Sequence, residues 1–231
     1  MATLSIIIPV LDEGGTIVEA LAALAPYRAR GAEIIVVDGG SRDGTPEAAR
    51  PGADHVMTAP RGRGAQMNAG AAAAKGDVLL FLHADTRLPR EADRLILDAL
   101  QRSRRPWGRF DVTIAGRSPL LRVVAAMMNL RSRLTGIATG DQAMFATRAA
   151  FAKAGGFPDI ALMEDIVLSR RLKAQGRPAC LAARVTTSGR RWDRDGVIRT
   201  VFLMWRLRLA FFLGAEPARL ARRYGYGVRD A

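Results

Sequence analysis

Apolar segments of strand length punctuate the first ninety residues, and helical spacing fills the gaps between them. They are Leu4–Val10, Glu33–Asp38, His55–Ala59 and Asp77–Leu82. Strands that are apolar without alternation, separated by helices, specify a mainly parallel sheet covered on both faces. In such sheets ligands bind outside the carboxyl ends of the strands. Acidic residues stand at three of those ends: Asp12-Glu13, Asp38 and Asp85. Aspartate is also a common turn residue, yet three at one edge point to a site.

The intervening stretches read as helices over Thr16–Leu24 and Arg61–Lys75, the latter rich in glycine and alanine as a closely packed helix is. Gly39–Gly44 reads as a turn and Thr45 as the cap of a further helix. Pro89 lies near the start of the next one. Beyond residue 100 the pattern is less regular. Trp107–Ala115 and Ala179–Thr187 read as extended. Leu120–Leu134, Ala149–Ala154, Met163–Ala174 and the stretch from Gly196 read as helical, with a break at Glu216-Pro217. Neither an internal repeat nor a low-complexity linker interrupts the chain. The expected architecture is an α/β domain over 1–192 followed by a helical appendage over 193–231.

Charge is divided along the chain. Residues 1–100 hold 10 basic and 13 acidic side chains, net −3, whereas residues 101–231 are net +16. An even coat of positive charge for nucleic acid would not look like this, and no nucleic-acid partner is expected. A basic patch facing phosphate or an anionic membrane would. Only three of the 35 basic residues are lysine, so part of the arginine excess is a compositional habit. Cys180 is the sole cysteine, which excludes an internal disulfide framework. Met1–Val10 has no basic flank and its apolar run stops at Asp12, unlike a signal peptide. Val197–Gly214 is apolar nearly all round but contains Arg199, Arg206 and Arg208, too many charges for a spanning helix. Such a helix packs in a core, in a subunit interface or on a membrane surface. The expectation is a cytoplasmic protein, with peripheral contact to the inner face of a membrane or a homo-oligomer as the outlets for that helix. Leu120–Leu134, with Met127 and Met128, belongs to the same surface.

The chemistry-bearing residues exclude some classes. Leu11–Thr16 is not the Gly-x-Gly-x-x-Gly of a dinucleotide fold, and no Walker loop occurs. A carboxylate at a strand end can instead accept hydrogen bonds from a base or ribose, which suits Asp38. Another can share a Mg²⁺ or Mn²⁺ with a diphosphate, which suits Asp85. His83 stands two residues away, on the same side in extended geometry. Glu164-Asp165 opens a helix, where carboxylates cap favourably or serve as a general base. Arg190-Arg191-Trp192 combines phosphate-binding forks with a stacking ring, or is an exposed basic loop.

In order the chain reads Ser-Ile-Ile-Ile-Pro-Val-Leu-Asp-Glu, Val-Val-Asp-Gly-Gly-Ser-Arg-Asp-Gly-Thr, Gly-Arg-Gly-Ala-Gln-Met-Asn-Ala-Gly, Phe-Leu-His-Ala-Asp-Thr, Gly-Asp-Gln, Met-Glu-Asp and Arg-Arg-Trp. This series resembles the inverting family-2 glycosyltransferases of GT-A fold, from about Leu4 to Trp192. It is most similar to small bacterial members associated with radical-SAM or selenodomain genes. The resemblance implies a nucleotide-binding half over 1–100 and an acceptor half over 101–192. It implies that Pro9, Val10, Leu11, Glu13 and Asp38 line a nucleotide pocket, with Arg63, Gly64 and Asn68 along its floor and His83 and Ala84 beside the diphosphate. Asp85 matches the last aspartate of the Asp-x-Asp metal motif, and His83 replaces the first. Asp165, next to Glu164, matches the catalytic base. Gly140, Asp141, Gln142, Arg191 and Trp192 match segments that close over donor and acceptor. The implied partners are a nucleotide-diphosphate sugar, a divalent cation, and an acceptor hydroxyl on a lipid-linked or small molecule. The Arg-Arg-Trp segment only partly matches the signature of processive members, which argues against polymer synthesis.

Two other classes compete. A nucleotidyltransferase shares this layout but usually carries a lysine in the loop after strand one, which Leu11–Thr16 lacks. A non-catalytic adaptor would use the basic half to bind a membrane or polyanion.

Overall fold

A computed structural model describes residues 2–225 of the chain. In order the elements are β1 Leu4–Val10, α1 Ile17–Ala22, α2 Ala25–Ala29, β2 Glu33–Asp38, α3 Thr45–Ala49, β3 His55–Thr58, α4 Arg63–Ala73, β4 Val78–Phe81, β5 Thr86–Arg87, α5 Ala92–Ser103, β6 Trp107–Ala115, α6 Leu120–Thr135, β7 Phe145–Thr147, α7 Arg148–Lys153, α8 Glu164–Lys173, β8 Ala179–Ser188, α9 Arg190–Asp195, α10 Val197–Phe212 and α11 Pro217–Tyr224. The strands form one sheet ordered β3-β2-β1-β4-β7-β6-β8-β5. The first four run parallel. Strand β7 runs antiparallel to both neighbours, and β5 is antiparallel to β8.

Both faces of the sheet are buried, as the unbroken apolar runs require. Along β1, Ile6 and Ile8 join one core and Ile7 the other; along β2, Ile34 and Val36 face one side and Ile35 and Val37 the other. This is the period-two alternation of strand side chains. One core is covered by Ile17 and Leu21 of α1, Tyr27 of α2 and Ile96 of α5. The other is covered by Met67 and Ala71 of α4, Phe151 of α7 and Leu168 of α8. Helix α4 lies very close to the sheet: a Cβ at Gly70 would stand 2.5 Å from Ile7 Cγ2. That contact explains the small residues in this helix.

Several elements differ from the sequence expectation. The helix expected over Thr16–Leu24 spans Ile17–Ala22, and a second short helix, not anticipated, starts at Ala25 with Pro26 in its first turn. Thr45 is the first residue of α3, and Gly44, at φ 79°, precedes it as the cap. The hydroxyl of Thr45 is committed to the neighbouring loops. Arg190-Arg191-Trp192 lies in the short helix α9 rather than in a loop. Residues 226–231 of the expected appendage lie outside the described residues.

Helices α10 and α11 pack back onto the domain. Leu207 of α10 and Leu220 and Ala221 of α11 share a core with Leu162, Met163 and Ile166. The other face of α10 is exposed. No helix among the described residues is long and apolar enough to cross a membrane.

Candidate active site

The loops after β1 and β2 are laced together where these strands end. The Asp12 amide donates to Ser41 Oγ at 2.8 Å, and the Arg42 amide donates to Asp12 Oδ1 at 2.9 Å. The Glu13 amide donates to Thr45 Oγ1 at 2.9 Å, and the Gly14 amide to Asp43 Oδ2 at 2.7 Å. Hydrogen bonds from the Thr45 hydroxyl and the Gly14 amide hold the Asp43 carboxyl below the usual carboxylate range. Asp38, almost wholly buried, accepts from the Gly40 and Ser41 amides and from the Ser41 hydroxyl. Asp12 and Asp38 therefore shape the edge of the site with their own carboxylates.

Beside this edge lies a cavity of about 600 Å³, which Asp38, contrary to expectation, does not line because its carboxylate is turned onto its own loop. Pro9, Val10, Leu11 and Glu13 line it from β1 and its loop, with Arg61, Gly62, Arg63 and Gln66 at the start of α4. Asp159–Ala161 form another wall, and Glu216, Pro217, Ala218 and Ala221 of α11 close it. A second concavity, of about 420 Å³ around Thr3, Glu33 and Lys75, lies at the opposite, amino-terminal end of the strands and carries none of these groups. Gly64 and Asn68 are not among the cavity walls. A Cβ at Gly64 would meet the Pro158 carbonyl at 2.7 Å. The Asn68 amide group bonds both the N–H and the carbonyl of Phe157, each at 2.9 Å. Both residues thus hold the loop that leads into Asp159.

Past β4 the chain turns sharply: the Thr86 amide donates to the His83 carbonyl at 3.0 Å. The extended geometry expected for His83-Ala84-Asp85 is replaced by this turn, so His83 and Asp85 go to different partners. His83 Nδ1 lies 3.5 Å from Asp141 Oδ1, and Asp85 Oδ2 lies 3.9 Å from an Arg190 nitrogen.

Asp141 belongs to the turn Gly140–Gln142, which the site holds tightly. A Cβ at Gly140 would fall 2.6 Å from two atoms of the His83 ring. The Gly140 amide donates to Asp165 Oδ2 at 2.8 Å. Gln142 is wholly buried, and its amide nitrogen donates to Asn129 Oδ1 at 3.4 Å. The Asp141 side chain keeps 46% of its surface open. Burial works to raise its carboxyl, but the His83 hydrogen bond and the charges of His83, Arg63 and Arg191 outweigh it and hold the group low.

Glu164 and Asp165 open α8, preceded by Met163 at φ 71°. Ala143 and Asp12 also have positive φ, at 45° and 53°. Left-handed backbone at non-glycine residues is costly and concentrates at functional sites. Burial first, and then the neighbouring Asp165 carboxylate, push Glu164 up to about 7. Arg63 opposes this, and it also acts on Asp141. The cavity and the carboxylates therefore meet at Arg63.

Arg191, whose charge also acts on Asp141, is held by Tyr224. Its Nη1 donates to the Tyr224 carbonyl at 2.8 Å, and its guanidinium lies 3.9 Å from the centre of the Tyr224 ring. Trp192 turns the opposite way, onto Leu121 and Ala125. The part played by α11 was not legible in the sequence. Glu216-Pro217 marks its beginning, but nothing local says where it docks. Gln66, whose amide nitrogen donates to the Val10 and Val37 carbonyls at 2.8 Å each, lies inside a motif already singled out.

Among the described residues no three metal-ligating side chains converge. Asp85 offers a partly exposed carboxylate, 32% open, on the turn after β4. A Mg²⁺ or Mn²⁺ ion is commonly held by one or two carboxylates with phosphates and waters completing its shell. The residues present thus fit a cation carried in with a diphosphate, and not one held by the protein alone.

A sheet of this order, with a walled cavity at its carboxyl edge and carboxylates beside it, defines the GT-A class of glycosyltransferase folds. The chain belongs to glycosyl transferase family 2, whose family model matches residues 5–152. The match concerns the family as a whole, and Glu164, Asp165 and Arg191 lie beyond it. Solved structures share the fold. Staphylococcus aureus TarS 1–349 in complex with UDP-GlcNAc aligns with a TM-score of 0.66 at 20% identity, covering 80% of this chain and 58% of that one. The chain thus spans less than two thirds of that relative. A mannosyltransferase from Pyrobaculum calidifontis, in complex with GDP-Man and Mn²⁺, aligns at 0.63 and 20% identity, covering 96% and 69%. Glucosyl-3-phosphoglycerate synthase from Mycobacterium tuberculosis, with Mn²⁺, UDP and its product, aligns at 0.58 and 18% identity, covering 80% and 71%. No curated protein matches by sequence.

Proposed function

We propose that this glycosyltransferase moves a sugar from a nucleotide-diphosphate donor to an acceptor hydroxyl with inversion, Asp165 acting as the base. The observation that carries the reading is that Arg63 belongs both to the wall of the 600 Å³ cavity and to the charge field of Asp141 and Glu164. A nucleotide held along Pro9–Glu13 would thereby present its diphosphate to the carboxylate side. The fold relatives bound to UDP-GlcNAc, GDP-Man and UDP support such a donor. Arg61 and Arg63 supply guanidinium forks suited to phosphate oxygens. Arg191, steadied by Tyr224, adds positive charge as the diphosphate departs.

Asp165 already accepts from the Gly140 amide and, at 2.7 Å, from the Ile166 amide. A carboxylate has about four acceptor positions, so two are left for the acceptor's proton. The bond from acceptor oxygen to the anomeric carbon forms on the face opposite the departing diphosphate. When bound, a divalent cation at Asp85 supplies Lewis-acid stabilisation to that diphosphate. A screen of nucleotide sugars with Mn²⁺, following slow donor hydrolysis in the absence of acceptor, tests the reading. Turnover of one donor identifies it; no turnover and no nucleotide-diphosphate binding overturns it.

A second part of the reading concerns where the enzyme works. On α10, Ile198, Phe202, Trp205, Leu209 and Phe212 form an exposed stripe; on α6, Leu120, Val123, Met127, Leu130 and Leu134 form another. Outside α6 and the α10 segment, Val18 is the only exposed large apolar side chain among the described residues. Exposed Arg122, Arg133, Arg199 and Arg206 flank the stripes. Apolar stripes edged by arginine complement the surface of an anionic membrane, and peripheral membrane contact is the reading they support.

A further inference from the structure

Two arginines beside Asp165 have no part in donor binding as described above. Nη1 and Nη2 of Arg131, on α6, are buried and lack any hydrogen-bond partner. A buried guanidinium left in this state is costly, and in a native fold such a group calls for a partner: water, an ion or a ligand. Arg208 of α10 is its neighbour in charge.

Their place relative to Asp165 follows from the packing. Ile166, next to Asp165, shares a core with Leu207, next to Arg208. Two residues before Arg131, Asn129 accepts from Gln142 of the turn whose Gly140 amide holds Asp165. The charged groups facing Arg131 come from three elements: Arg208 of α10, Arg109 of β6 and Asp165 of α8. Arg109 is already paired with Asp111. Burial, then the Arg208 charge, push Arg131 down to about 10, so it stays charged at neutral pH. Burial likewise lowers Arg208, with only Asp165 opposing. The donor-side arginines act on other carboxylates as well: Arg63 and Arg191 on Asp141, and Arg63 on Glu164.

We propose that Arg131 and Arg208 form a phosphate subsite, and that the acceptor carries a phosphate group near the hydroxyl that is glycosylated. The inference rests on Asp165 being the acceptor-side base. Guanidinium forks match phosphate oxygens bidentately, and two of them balance a group of charge near −2. The phosphate is untouched by the reaction. The acceptor oxygen bonds the anomeric carbon, the bond from that carbon to the donor diphosphate breaks, and the hydroxyl proton passes to Asp165. The phosphate can belong to a lipid headgroup or to a soluble phosphorylated alcohol.

Calorimetric titration of the full chain with sn-glycerol 3-phosphate, and with vesicles of phosphatidylglycerol against phosphatidylcholine, tests this and separates the two sources. The wild type is expected to bind one of the two phosphate probes in preference to phosphatidylcholine. Arg131→Gln and Arg208→Gln are expected to weaken that binding at least tenfold, whereas Arg102→Gln, at an exposed arginine on α5, leaves it within twofold. Arg131→Gln is expected to unfold at or above the wild-type temperature, because it removes an unpartnered buried charge. A structural arginine would do the reverse. Absence of binding to both phosphate probes, equal weakening by Arg102→Gln, or lowered stability with binding retained overturns the proposal. Titration of the wild type with nucleoside diphosphates judges the donor reading separately, since that site does not include Arg131 or Arg208.

Discussion

The Gly140 amide donates to Asp165 Oδ2 across 2.8 Å, although 25 residues separate them. The bond joins the turn that carries Asp141 to the first residues of α8, so one element cannot shift without the other. It also orients the carboxylate proposed as the base.

Asp165→Asn keeps an oxygen that can accept from Gly140 but cannot take a proton. Transfer is expected to fall by about 10²–10⁴, the usual worth of a general base, with the circular dichroism spectrum and unfolding temperature near wild type. Near wild-type transfer by a folded variant would show that another group is the base.

Gly140→Ala places a Cβ where the His83 ring lies. The ring must move, and His83 loses its approach to Asp141. Overpacking of this kind costs about 1–3 kcal/mol. Donor KM is expected to rise more than kcat falls. An unchanged donor KM would separate the His83–Asp141 pair from donor binding.

Glu164 is raised by burial and by Asp165 from its ordinary 4.5 to about 7. The folded chain then holds this proton more tightly than the unfolded chain. Stability from this group is complete below the unfolded value and is lost as pH rises through about 7. Glu164→Gln removes the titration. The variant's stability relative to wild type is expected to grow between about pH 5 and about pH 8, by at most about 3 kcal/mol. Denaturant midpoints at several pH values measure it, and a flat difference would contradict the assignment.

Arg109 is fully buried and pairs with Asp111, which also binds Arg133 at 2.7 Å. Asp111→Ala would strand the buried charge and is expected to destabilise by about 3–5 kcal/mol. A loss under about 1 kcal/mol in chemical denaturation would show that solvent reaches Arg109 in the native state.

Flotation with phosphatidylglycerol liposomes at low salt tests the stripes on α6 and α10. The wild type is expected to float, and the double variant Phe202→Glu, Trp205→Glu to remain in the pellet fraction. A second copy of the chain could cover the same faces instead. A wild type that does not float but sediments as a dimer would establish that alternative.

The four apolar runs, with their helices, were enough to read a parallel sheet with two buried faces and a site at its carboxyl edge. The reason is local: a strand buried on both sides must be apolar throughout, and Ile6, Ile7 and Ile8 show it directly. The motif series reached the family for a similar reason, since Pro9–Glu13 and Gly62–Asn68 act through short stretches of backbone. What the tertiary structure alone decided depends on residues distant in sequence. His83 meets Asp141, 58 residues away in sequence, because the chain turns after His83 and the Gly140–Gln142 segment packs against its ring. Asn68 faces Phe157 across 89 residues, and Arg191 meets Tyr224 because α10 and α11 return to the cavity. Arg131 reads in sequence as one arginine among many, and only its burial without a partner sets it apart. Pattern along the chain reports which surface is buried, and packing between remote segments decides which polar groups meet there.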